Sequence, residues 1–176
     1  MAYAWFCRLL SLSTSPPTSS NVCRSPMAEG FAKKWLSRRH GVDPQDLEKQ
    51  CGISVKSRGV STNYEPPGSP ASAHGITVMR QHGVDVSGHR SAILSPTDLL
   101  EATHIYCTAP YHYKAVLAVQ LALKRQGICN LQFSVSTLKP EAPDPWHGTL
   151  AYFQACSEML ESGVVEALER DLPSSE

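Results

Sequence analysis

Ser25-Pro26, Asp43-Pro44, Ser69-Pro70 and Ser95-Pro96 each mark a place where this chain starts a new helical segment. A Ser or Asp side chain accepts from the first helical amides, and proline suits the first helical position, where an N–H has no partner anyway. After Ser25-Pro26, the residues Ala28, Phe31, Ala32 and Trp35 recur at helical spacing, and Gly41 ends the element. The Asp43 start runs to about Cys51, the Ser69 start closes at His82-Gly83, and the Ser95 start is short. Longer helices follow from about Tyr111 to Arg125, with Gly127 beyond, and from Thr149 to about Glu169. Tyr152, Phe153, Cys156, Met159 and Leu160 form the inner face of the last one.

Short strand-like runs lie between these helices, at Ile53 to Lys56, His104 to Cys107 and Leu131 to Val135. Strands separated by helices imply parallel crossovers, hence an α/β fold: a three-layer sandwich with a central four-stranded parallel sheet flanked by helices. The first strand is the exception. Pro16-Pro17 sits where a central strand should run into the following loop, and proline cannot donate to a sheet ladder. Ser61 to Pro70, rich in Pro, Gly and Ser, reads as a loop. Ligands in such sheets bind beyond the carboxyl ends of the strands, and Asn21 to Arg24 falls there.

At 176 residues the chain suffices for one domain with a sizeable core. Sixteen basic and sixteen acidic residues cancel, so no global field favours nucleic acid or an anionic membrane. Cys7, Cys23, Cys51, Cys107, Cys129 and Cys156 include no Cys-x-x-Cys pair, which argues against a zinc site and a disulfide scaffold. Reduced thiols in the cytoplasm are the expectation, with no metal and no cofactor. No run approaches the roughly 20 apolar residues that span a bilayer. Residues 1–20 contain no acid, one arginine (Arg8) and many Ser and Thr, a composition that also suits an organelle-targeting segment.

Thr18-Ser19-Ser20-Asn21-Val22-Cys23-Arg24-Ser25-Pro26 carries the chemistry. Backbone amides wrapped inward ahead of a helix converge on one anion, and the helix start adds its positive end, worth about 0.3–1 kcal/mol. Arg24 closes such a cup with a planar fork that bonds two phosphate oxygens; a lysine would supply charge without the fork. From Asn21 to about Leu172 the chain resembles the low-molecular-weight protein-tyrosine-phosphatases, whose loop reads Cys-x-Gly-Asn-x-Cys-Arg-Ser-Pro. Asn21, Val22, Cys23, Arg24 and Ser25 match as phosphate-binding positions. Thr18 stands at the nucleophile position and Ser20 at the glycine. Residues 1–20 form an atypical N-terminal segment and 173–176 a tail.

The resemblance continues downstream. It implies that Ser57, in Lys56-Ser57-Arg58-Gly59, and His82, in His82-Gly83-Val84-Asp85, join Asn21 and Ser25 in a network that braces the loop, with His82 bonded to Asn21. Ser87-Gly88-His89-Arg90 is similar to a further family stretch, although Ala92-Ile93 replace its Arg-Gln. Asp144-Pro145-Trp146-His147-Gly148 resembles the family's general-acid loop. The implied role of Asp144 is to protonate the leaving phenolate, since expelling it unprotonated is costly. Trp146 and Tyr64 are the implied aromatic walls of the substrate cleft.

By this resemblance the partner is a phosphorylated protein, and phosphotyrosine is hydrolysed through a cysteinyl-phosphate. Val22 is bulky, as in the tyrosine phosphatases. Gly68 to Ser72 and His112 resemble the bacterial branch that includes protein-arginine phosphatases. The chain as written lacks the nucleophile: a thiol of pKa about 8.5 is readily ionised beside a helix start and a cation, an alcohol is not. Two readings follow. Either residues 1–20 are not the authentic start of an active enzyme, or the protein binds phosphorylated partners without turnover.

Overall fold

The structure is a computed structural model that describes residues 9–13, 21–60 and 65–172. Its elements run β1 (Leu9–Ser13), α1 (Arg24–His40), α2 (Leu47–Cys51), β2 (Val55–Gly59), α3 (Ala73–Gln81), α4 (Pro96–Glu101), β3 (His104–Cys107), α5 (Pro110–Arg125), β4 (Ser134–Thr137) and α6 (Leu150–Asp171). Among the described residues the strands form one parallel sheet in the order β2-β1-β3-β4. Leu9 pairs with Val55 on one side and His104 on the other. The chain moves outward from β1 to β2, then crosses back to β3. The carboxyl ends of β1 and β3 therefore flank the switch point where an α/β sheet opens a crevice.

Side-chain alternation along β3 divides the core into two layers. Ile105 and Cys107 pack with Leu99 of α4 and with Val116 and Leu123 of α5. Tyr106 belongs to the larger opposite cluster, with Met27, Phe31 and Leu36 of α1 and Cys156, Leu160 and Val164 of α6. The α1 helix presses through Gly30 on α3 and the segment after it, where an added Cβ would lie 3.0 Å from Met79 Cε and 2.8 Å from Val84 Cγ1.

The departures from the sequence reading have local causes. A central first strand is present, but at Leu9–Ser13, ahead of Pro16-Pro17 rather than interrupted by them. Gly52 ends α2 in the left-handed region, and the Ile53 amide donates back to Leu47, so β2 begins only at Val55. The hydroxyl of Ser69 bonds the Pro66 carbonyl, and Ser72 caps α3 instead by accepting from the Gly75 amide. Helix α1 starts one residue before Ser25, with Cys23 at the N-cap. The β4 pairing with β3 begins at Ser134, and Leu131 and Phe133 serve only as packing residues. Tyr152 is 42 % exposed and lies outside the inner face of α6.

Phe31 is 1 % exposed at the centre of the larger cluster. Phe31→Ala should lower unfolding free energy by about 3–5 kcal/mol, read from the urea midpoint.

Candidate active site

Asn21, Val22, Cys23, Arg24 and Ser25 are all buried where the chain turns into α1. Asn21 has φ 58°, a left-handed conformation that asparagine tolerates better than most residues. Two neighbours hold it, and a third holds the next residue. Its Nδ2 donates to the Ser57 carbonyl at 3.2 Å, and its own carbonyl accepts from His89 Nε2 at 2.7 Å. The Val22 carbonyl accepts from the Ser72 amide at 2.8 Å. Helix α1 has no side-chain cap and no acid in its first turn, so its first amides keep their donor capacity and their positive field.

Glu29 braces this bend from one turn deeper. Its Oε2 accepts from both the amide and the hydroxyl of Ser57, at 2.9 and 2.6 Å, and lies 4.0 Å from His89 Nδ1. Burial pushes the Glu29 carboxyl up, but Lys33 and Ser57 more than offset this and hold it below its ordinary value. Burial lowers the His89 pKa, opposed by its bond to Asn21 and by Glu29. His82 does not reach Asn21. Its ring bonds Ser157 Oγ at 3.2 Å and Glu161 Oε2 at 3.1 Å, so the expected His82–Asn21 contact is corrected to His89–Asn21. His82 follows the last residue of α3, which turns it towards α6.

The Arg24 side chain is 3 % exposed and meets α5 and the segment between β4 and α6. Nη2 donates to Asp144 Oδ2 at 2.8 Å and to the Tyr111 hydroxyl at 3.0 Å, while Nη1 donates to the Ala142 carbonyl at 3.2 Å. Arg24 Nε and the Ser25 hydroxyl are buried without a hydrogen-bond partner. Asp144 Oδ1 accepts from the Trp146 amide at 3.2 Å, which fixes the start of a tight turn closed by Gly148 N donating to the Pro145 carbonyl. A Cβ at Gly148 would fall 2.9 Å from that carbonyl oxygen. Trp146 packs partly against the main core and edge-on to His147. Thr18 and Tyr64 lie outside the described residues.

Neither buried cysteine near the site supplies a thiolate. Burial pushes the Cys23 thiol up to about 12, with a Ser72 hydrogen bond opposing it. Burial likewise pushes Cys156 up to about 12, and its thiol donates to the Pro143 carbonyl. Below these, His112 is fully buried with Nδ1 3.1 Å from Thr108 Oγ1. Its pKa is lowered to about 2 by burial and by Arg24, so the ring is neutral. No group of three or more potential metal ligands occurs among the described residues.

A family model described as low molecular weight phosphotyrosine protein phosphatase matches residues 18–173. The chain belongs to this family. It is 24% identical over 143 residues to a protein-arginine-phosphatase of Bacillus subtilis, covering 81% of this chain and 85% of the relative. It is 26% identical over 148 residues to a probable low molecular weight protein-tyrosine-phosphatase, EpsP, of Ralstonia nicotianae, covering 82% and 85%. Among solved structures it is similar to the low molecular weight protein tyrosine phosphatase from T. tengcongensis, with TM-score 0.69, 26% identity, and 93% and 99% of the two chains covered.

Three contributors to the site were not singled out from the sequence. Glu29 lies one turn into the helix that Ser25-Pro26 starts, His89 stood in the Ser87-Gly88-His89-Arg90 stretch without a role, and Tyr111 opens α5 just past the carboxyl end of β3, the side that the switch-point rule marks. The depressed Glu29 carboxyl stabilises the fold above its ordinary value of 4.5, and that contribution is lost as pH falls through the lower folded value. Glu29→Gln should therefore flatten the fall in urea midpoint between about pH 6 and about pH 3.

Proposed function

We propose that this chain recognises phosphorylated side chains of proteins, phosphotyrosine by preference, and that as sequenced it holds them without cysteinyl-phosphate turnover. The observation that carries the reading is the buried Arg24 guanidinium, 2.8 Å from Asp144, at the uncapped start of α1. A phosphate placed there meets helix amides, a planar cation whose Nε has no other partner, and a carboxyl group on the far side. Asp144 is the group to protonate a departing phenolate, and Trp146 offers a flat apolar edge beside it. Asn21, Ser57 and His89 hold the cradle in shape. Phosphoarginine is the second substrate class, supported by the Bacillus subtilis relative.

What the described residues around Arg24 lack is an ionised sulfur, since burial holds Cys23 and Cys156 as thiols. Thr18 has an alcohol that neither a helix start nor a cation ionises, and Cys23 is held as a thiol. Five described cysteines are free, which suits a reducing compartment such as the cytoplasm, and no described helix is long and apolar enough to cross a membrane.

Calorimetry with inorganic phosphate and with phosphotyrosine tests the binding. Arg24→Ala should weaken both by about tenfold or more, since a hydrogen bond to a charged group contributes about 1.5–3 kcal/mol. Equal affinity in that variant would sink the reading. With an aryl phosphate the chain should show almost no turnover, whereas Thr18→Cys combined with Ser20→Gly should gain it. Turnover by the unaltered chain would show that the hydroxyl or another group replaces the thiolate.

A further inference from the structure

Arg24 has two side-chain acceptors on one nitrogen, and they differ in charge. Asp144 Oδ2 is an anion at 2.8 Å, and the Tyr111 hydroxyl is a neutral oxygen at 3.0 Å. A carboxylate orients a guanidinium but also neutralises it, so it competes with any phosphate for the same charge. A phenol hydroxyl fixes the orientation and leaves the full positive charge in place. From this arrangement we infer that Tyr111 is a positioning residue that keeps Arg24 aimed into the phosphate cradle when Asp144 is protonated or drawn aside.

The fold gives Tyr111 the rigidity such a role requires. It is the second residue of α5, directly beyond the carboxyl end of β3, where Pro110 fixes the first helical position. Its ring meets the edge of His112 with centroids 4.3 Å apart and planes at 71°. His112 is itself fully buried and tied to Thr108. The support beneath the tyrosine is therefore neutral and packed, and it adds no second cation beside Arg24.

The inference rests on the phosphate-binding reading, and two measurements separate their failures. The first is calorimetry with inorganic phosphate. Tyr111→Phe should weaken binding about tenfold in the otherwise unaltered protein and again in the Asp144→Asn background. In the Arg24→Ala background it should change nothing further. Binding that survives Tyr111→Phe while Arg24→Ala abolishes it would overturn the inference alone. An equal loss with Arg24 already removed would overturn it too, because Tyr111 would then act independently. The second needs no ligand: the Arg24 Nε–H resonance, assigned by its disappearance in Arg24→Lys. A guanidinium fixed by Tyr111 should exchange this proton slowly, with exchange at least about tenfold faster in Tyr111→Phe. Unchanged exchange would overturn the inference even if the protein bound no phosphate at all. Thermal unfolding of each variant separates these effects from general destabilisation.

Discussion

A guanidinium almost wholly withdrawn from water must be answered by oxygen atoms, and that requirement ties the carboxyl edge of this sheet together. Arg24 arrives from the β1–α1 bend, Tyr111 from the end of β3, and Ala142 and Asp144 from the segment beyond β4. No single element supplies enough acceptors. Burying a charge without partners costs several kcal/mol, so the strand order that converges these loops is a condition for Arg24 being there at all. The same convergence brings together a cation, a carboxyl group and an open helix start, the combination that phosphate chemistry requires.

The second constraint is conformational. Asn21 sits in a backbone region that most side chains avoid, and it is held by bonds from both directions. Those bonds pass to Ser57 and His89, and Glu29 on α1 joins the two. The loop is therefore anchored to β2, to the segment after α3 and to its own helix. Such a network is stiff, because moving any of these residues leaves further buried polar groups unpaired. Stiffness at this bend is what keeps the α1 amides pointing one way.

Much of this was legible beforehand. Gly41 and Thr149 bound their helices as their chemistry requires, and His104 to Cys107 is a strand because four β-compatible residues sit between two helix signals. The meeting of Arg24 with Asp144 was implied by the resemblance of both stretches to one family's motifs. The misses share a cause: they depend on three-dimensional competition between equivalent groups. His82 caps the end of α3 and His89 lies in the segment that follows, and only the packing of these stretches decides that the first faces Glu161 and the second faces Asn21. Ser69 and Ser72 are both plausible caps, and a nearby Pro66 carbonyl removes the first. Tyr111 carries no motif, and its role appears only when β3 is placed beside β1.

The interior thiols carry a consequence of their own. Cys23, Cys107 and Cys156 are all held as S–H by burial, far above neutrality. Peroxides attack the deprotonated form and need a path to it. An enzyme that works through a low-pKa sulfur is exposed to oxidative inactivation at that atom. Cys23 and Cys156, the buried thiols near Arg24, offer an oxidant no such atom, because burial keeps both sulfurs protonated.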